Sequence, residues 1–326
     1  MRLKLFSAKA YDIASFDREC SGAIELSYTD EALTTATIDQ AAGCDAVCAF
    51  VNDQLDEPVL SGLVKHGVKH VLLRCAGFDR VDLQAAKRLG LCVSRVSSYS
   101  PHAVAEHAVM LMLALNRRLL KAQQRQQHAD FTLDGLVGRD LASLTVGVYG
   151  VGRIGQVVAS IVKGFGARVL LSDPVQDSSD LGEWVSPDQL LSDSDIVSLH
   201  MPMCDANHHL INADRLSQMK PHALLVNTSR GCLVNVLAVM SALDAGRLGG
   251  YAADVYEHEA GIFFNAHDTL SDAVLAQMIE RDDVILTPHQ AFLTEEALRD
   301  IAQTTLQNAV AFWSGQKLPE SDVVVA

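Results

Sequence analysis

Hydrophobic positions along the chain fall into two alternating rhythms. Short apolar runs at residues 2–6, 24–26, 46–51, 70–73 and 91–93 read as strands. Between them, a stretch through Ile13 and Phe16 and segments 57–66 and 83–89 carry apolar residues at helical spacing. The alternation returns in the second half, with strands predicted over 144–149, 167–172, 195–199, 223–227, 250–253 and 283–287. Such near-continuous apolar strands, separated by helices, imply parallel sheets covered on both faces and an α/β fold. Between the two sets, residues 96–101 are a turn-rich link, and a single helix is predicted from 102 to about 120. Its apolar residues (Ala103, Val104, Ala108, Leu111, Met112, Leu115), together with His107, spread around much of the circumference. A helix of that kind is buried between domains or between subunits, so a homodimer is expected, with burial inside its own domain as the alternative.

One stretch joins this patterning to chemistry. The strand ending at Tyr149 runs directly into Gly150-Val151-Gly152-Arg153-Ile154-Gly155, and a helix opens at about Arg153. The first glycine permits the tight turn, the second lets backbone approach a pyrophosphate, and the third allows close helix–strand packing. The helix presents Ile154, Val157, Val158, Ile161, Val162 and Phe165 on one face, and its N-terminal amides favour an anion. Asp173 ends the next strand, 23 positions after Gly150, where an acid hydrogen-bonds an adenosine ribose. An acid there repels a 2′-phosphate, so the expected cofactor is NAD. None of the first five strands is followed by such a turn, and the first hundred residues read as a separate α/β domain.

Composition narrows the partners. The 326 residues are 49 % hydrophobic, enough for two domains, and the net charge of −14 without a basic stripe argues against nucleic acid. The apolar run 108–115 is too short to span a bilayer. Seven scattered cysteines without a secretory leader point to reduced, buried thiols in a cytoplasm. Cys44 and Cys48 lie four apart, but no second Cys/His pair with ligand spacing follows; both read as core, and no metal is expected.

Polar and titratable residues collect after the later strands: His200 and Pro202, then Asn227-Thr228-Ser229-Arg230-Gly231, then 254–259, then Thr287-Pro288-His289. Ligands bind at such carboxyl ends in open parallel sheets, which adds Pro202 and Thr228 to the cofactor-side candidates. With Arg74-Cys75-Ala76-Gly77-Phe78, the run Asp254-Val255-Tyr256-Glu257-His258-Glu259 and Pro288-His289-Gln290-Ala291-Phe292-Leu293-Thr294, these motifs give the chain a resemblance along nearly its whole length. It resembles the D-2-hydroxyacid dehydrogenases, most closely the fermentative D-lactate dehydrogenases.

The resemblance implies two doubly wound parallel-sheet domains, a Rossmann NAD-binding domain (101–293) inserted in a flavodoxin-like substrate domain (1–100 and 294–326). It also marks three catalytic residues whose chemistry makes sense unaided. Arg230 offers a permanently charged fork to the carboxylate and ketone of a 2-oxo acid. His289 is suited to donate the proton, and Glu259 to orient it and favour its charged form. By family similarity the amides of Ala76 and Gly77 receive the carboxylate, Phe78, Tyr99 and Phe292 wall the pocket, and Asp254 sits near the nicotinamide. His200, His208 and His209 receive no role.

Ser100, His102, Asn235 and residues 260–268 depart from the pattern of the lactate group. Glyoxylate or hydroxypyruvate reductases and phosphoglycerate dehydrogenases share the three residues but have a shorter interval than the 30 positions from Glu259 to His289. Formate dehydrogenases lack the acid. An NADH-sensing corepressor shares the architecture. The expected activity is reduction of pyruvate to D-lactate, with the other 2-oxo acid reductases and the binding module as alternatives.

Overall fold

Strands alternate with helices along most of the chain: β1 (Arg2–Leu5), β2 (Glu25–Tyr28), β3 (Ala46–Ala49), β4 (His70–Leu73), β5 (Cys92–Arg95), β6 (Thr145–Tyr149), β7 (Arg168–Ser172), β8 (Glu183–Trp184), β9 (Ile196–Leu199), β10 (Leu224–Asn227), β11 (Gly250–Ala253), β12 (Val284–Leu286) and β13 (Val323–Val325). This computed structural model describes residues 1–176, 178 and 180–325; Asp177, Ser179 and Ala326 lie outside the described residues. The chain divides into two units, Met1–Ser100 with Leu293–Ala326, and Pro101–Phe292.

The first unit holds a sheet in the order β13-β5-β4-β3-β1-β2, parallel except for β13, which pairs antiparallel with β5. Without that edge the order is the flavodoxin-like 2-1-3-4-5. All four residues of β3 and of β4 are buried, because separate apolar clusters cover the two faces of the sheet. One face is closed by the helix Ala10–Glu19 and the C-terminal helix Glu295–Trp313 packed together. Thr294 caps the latter by accepting a hydrogen bond from the Ala297 amide at 3.2 Å. The loop after β4 is anchored by an ion pair: Arg74, 1 % exposed, donates to Asp12 Oδ1 at 3.3 Å and to the Ser7 carbonyl at 2.8 Å, and lies over the Phe50 ring.

The second unit holds a parallel sheet in the order β12-β11-β10-β9-β6-β7-β8. Counted within the unit from β6, this is the doubly wound order 3-2-1-4-5-6 extended by one strand. The order reverses between β6 and β9, so the ends of those two strands open a crevice. The two-residue strand β8 carries too little pattern to be seen in sequence.

Three local expectations are corrected. The helix predicted over 102–120 is two: Pro101–Asn116, then Leu119–Gln127, separated by a left-handed backbone at Arg118 (φ 51°). Asn116 turns its side-chain amide to the Arg139 carbonyl at 2.7 Å where the first helix ends. That helix packs against the helix Arg153–Gly164 and against β10 and β11, so most of its apolar circumference is buried inside its own unit, with Met110 left 47 % exposed. Phe165 lies past the end of its helix and is 48 % exposed rather than part of the apolar face. All seven cysteines are free thiols, yet only Cys48 and Cys92 are buried; Cys44 is half-buried and Cys204 exposed. Among the described residues no helix is long and apolar enough to cross a membrane.

Removing one partner of a buried ion pair leaves an uncompensated charge, which costs about 3–5 kcal/mol. Asp12→Ala should therefore lower the urea midpoint of the first unit well below that of the parent, whereas substituting the exposed pair Arg88–Glu57 should leave it close to the parent value. Equal midpoints for both variants would refute the buried pair's role.

Candidate active site

Steric constraint shapes the turn after β6. Gly150 has φ 92°, and a Cβ there would lie 2.5 Å from the His200 carbonyl oxygen at the end of β9. A Cβ at Gly155 would meet the Gly150 carbonyl oxygen at 2.0 Å, so helix and turn touch only through glycine. Gly152 is different: nothing lies within 4 Å of a Cβ built on it. It is the N-cap of the helix Arg153–Gly164, and that open face beside the first-turn helix amides fits a pyrophosphate. Asp173, at the end of β7, accepts from the Val151 amide at 2.7 Å and from the Val175 amide at 2.8 Å, so the acid braces the glycine turn itself. Thr228, at the end of β10, has a buried hydroxyl without a hydrogen-bond partner, a group left over for a ligand. His200 bonds Ser198 Oγ at 2.8 Å, and burial pushes it down to about 3, which keeps it neutral and structural.

Arg230 sits on a turn fixed from below. The fully buried Asn227 accepts from the Ser229 amide at 3.0 Å and donates to the Arg230 carbonyl at 2.8 Å, and Ser229 Oγ donates to the Leu199 carbonyl at 3.1 Å. At Gly231 a Cβ would come within 2.2 Å of the Tyr256 carbonyl carbon, so this turn lies directly on the segment that follows β11. That segment carries Glu259, which accepts from the Tyr256 amide through Oε2 and faces His289 Nδ1 through Oε1 at 2.8 Å. Both side chains are mostly buried, at 18 % and 11 % exposed for His289 and Glu259.

His289 itself has a left-handed backbone, φ 55°, uncommon for any residue other than glycine. Asp254, completely buried, holds the chain on both sides of it. Its carboxylate accepts from the Thr287 hydroxyl, from the Gln290 amide at 2.8 Å and from the Ala291 amide at 2.8 Å. His107 Nε2 lies 3.0 Å from the same Thr287 hydroxyl and 3.4 Å from Asp254 Oδ1. The sequence assigns neither His107 nor Thr287 a role, although both stand at positions it marks, His107 among the apolar residues of its helix and Thr287 after the last strand of the unit.

The sequence-predicted residues thus divide between the units. Arg230, Glu259, His289 and Asp254 gather at the carboxyl ends of β10, β11 and β12, with Pro202 and Thr228 at the ends of β9 and β10. The buried Phe292 closes the same unit. Ala76, Gly77, Phe78 and Tyr99 belong to the other. There Arg95 donates to the Ala76 carbonyl at 2.9 Å and stacks over the Phe78 ring at 4.9 Å, while Cys75 Sγ lies 3.3 Å from the Gly77 carbonyl.

The family model for the NAD-binding domain of D-isomer-specific 2-hydroxyacid dehydrogenases matches residues 109–291. The chain belongs to the D-2-hydroxyacid dehydrogenases. It is 46 % identical over 325 residues to D-lactate dehydrogenase of Escherichia coli strain K12, covering 98 % of this chain and 99 % of that one. It is 48 % identical over 320 residues to 2-hydroxyacid dehydrogenase A of Aspergillus oryzae, covering 96 % and 92 %. The apo structure of the Escherichia coli D-lactate dehydrogenase superposes with a TM-score of 0.91 at 44 % identity over all of both chains. The NAD-complexed D-isomer-specific 2-hydroxyacid dehydrogenase of Lactobacillus delbrueckii ssp. bulgaricus superposes with a TM-score of 0.82 at 31 % identity, again over all of both chains.

This dehydrogenase is an NAD-dependent oxidoreductase. The departure at Asn235 is mechanically neutral, because its side chain caps the helix Val236–Asp244 by accepting from the Ala238 amide at 3.0 Å, as an aspartate would. A carboxylate at position 173 should favour NADH over NADPH by more than about tenfold, or about 1.4 kcal/mol, in kcat/KM. Asp173→Ser should narrow that ratio; parity of the two cofactors in the parent would show that the acid does not select.

Proposed function

We propose that this dehydrogenase reduces pyruvate to D-lactate with NADH, in a reducing cytoplasm where its free cysteines persist as thiols. The observation that carries the reading is the Glu259–His289 contact, 2.8 Å, beside the Arg230 turn. The names of relatives matched end to end support the substrate. On this reading Arg230 grips the carboxylate and polarises the ketone with two donors in one plane. His289, its Nδ1 engaged by Glu259, uses Nε2 to deliver a proton to the forming alkoxide. Asp254 acts through the loop it holds. The Ala76 and Gly77 amides take part in carboxylate binding, and Phe78, Tyr99 and Phe292 limit the acid's side chain. The bound nicotinamide supplies the hydride.

The test is NADH oxidation with pyruvate, glyoxylate, hydroxypyruvate and 2-oxobutyrate, followed by chiral analysis of the product. Pyruvate should give the highest kcat/KM and D-lactate the only enantiomer; L-lactate, or a preference for another 2-oxo acid, would overturn the assignment. A positioned proton donor contributes about 10²–10⁴ in rate, so His289→Ala should lose at least a hundredfold in kcat while NADH binding is retained.

We also propose a homodimer. The helix Leu119–Gln127 buries none of its residues, and it and the following segment expose Leu119, Leu120, Phe131, Leu133 and Val137, the last by 88 %. Sedimentation should give a dimer for the parent and a monomer for Phe131→Asp/Val137→Asp; an unchanged mass in the variant would exclude this surface.

A further inference from the structure

The segment between Asp254 and Glu259 carries another acid, Glu257, that the hydride-transfer site does not use. Two consecutive histidines from the loop after β9 converge on it. His208 Nε2 lies 3.3 Å from Glu257 Oε1, and His209 Nε2 lies 2.9 Å from Glu257 Oε2. The two imidazoles are stacked, with centroids 4.0 Å apart and planes 27° apart. The nitrogen and oxygen atoms all fall within 4.8 Å of one another, and among the described residues no other group of three such side chains does this.

Consecutive residues rarely point their rings the same way, and here the backbone is bent to achieve it. His209 has φ 49°, held by its amide donating to the Cys232 carbonyl at 2.8 Å. The Asn235 side chain lies 3.5 Å from its Nδ1. Burial works against the Glu257 carboxylate, yet the two histidines hold it below the ordinary carboxylate range.

We propose that His208, His209 and Glu257 form a binding site for a divalent transition-metal ion of the zinc class, separate from the dinucleotide and from His289. Two imidazole nitrogens and one carboxylate suit such an ion, with a fourth position left to water. Ligand atoms about 2.0–2.2 Å from a tetrahedral metal stand roughly 3.3–3.6 Å apart; the two nitrogen–oxygen separations present are 3.3 Å and 2.9 Å, and the rings would turn out of their stack to aim both nitrogens at one ion. Binding displaces the ring protons that bridge to Glu257, so affinity falls as the solution is acidified. The ion ties the loop after β9 to the segment that also bears Glu259.

The experiment uses the full-length, tag-free protein after chelator treatment and dialysis. Zn²⁺ is titrated calorimetrically and Co²⁺ by its visible absorption, at about pH 7.5 and again at about pH 5.5. The expected result is one ion per chain at the higher pH, weaker binding at the lower, and a Co²⁺ spectrum of nitrogen and oxygen ligation. His208→Phe keeps a ring in the stack but removes its nitrogen, and should weaken binding at least tenfold with pyruvate reduction retained. Glu257→Gln should weaken it similarly, whereas His267→Ala, at an exposed site elsewhere, should not. Absence of saturable uptake, unchanged affinity in His208→Phe, or a thiolate charge-transfer band pointing to a cysteine would each overturn the proposal.

Discussion

Asp254 is a carboxylate with no exposed surface, and its two oxygens accept from one hydroxyl and two backbone amides, all of them on the chain around His289. A charge so far from water is tolerated only when its lone pairs are satisfied, and charge-assisted bonds of this kind are about twice as strong as neutral ones. The consequence is mechanical. The end of β11, the loop after β12 and, through His107, the helix Pro101–Asn116 become one piece, and His289 is held in a backbone conformation it would not choose alone. The 2.8 Å contact with Glu259 depends on that fixation, because a loop free to relax would let the ring swing away.

The dinucleotide side of the same unit depends on close approach instead of charge. Gly150 and Gly155 are where strand, turn and helix meet with no room for a side chain, and Gly152 is where room is left open. Gly231 repeats the device, setting the Arg230 turn against the segment that leads to Glu259. The sheet order explains why these contacts fall together. Crossovers run in opposite directions from β6, so the ends of β6 and β9 part to form a crevice, and β10, β11 and β12 continue it on one side.

In the first unit, the loop Cys75–Phe78 is held at both ends by arginines with different surroundings. Arg74 is buried against Asp12 and Phe50, which makes it an anchor for the end of β4. Arg95 is on the surface side, where it binds the Ala76 carbonyl and covers Phe78. The fork of guanidinium donors suits both tasks, since one group can satisfy a carbonyl and still stack on a ring.

The sequence by itself determined the α/β class, the strand–glycine turn–helix, the order of the motifs and hence the family. These are legible because apolar periodicity and glycine spacing are local properties: 2.0 and 3.6 residue repeats and a phosphate turn are written in adjacent residues. Tertiary structure decided what depends on distant partners. The break at Arg118 accompanies a bond from Asn116 to Arg139, β13 finds its place only by pairing with β5, and Phe165 and Cys44 are left partly outside because nothing packs over them. The same limit applies to the sites. The placement of Arg230, Glu259 and His289 at neighbouring strand ends was readable from their order, but the bracing of His289 by Asp254, His107 and Thr287 was not. Nor was the meeting of His208 and His209 with Glu257, 48 positions away from the nearer histidine. Contacts of that length are set by which strands lie side by side in the sheet, and a one-dimensional pattern fixes the face of each strand without fixing its neighbour.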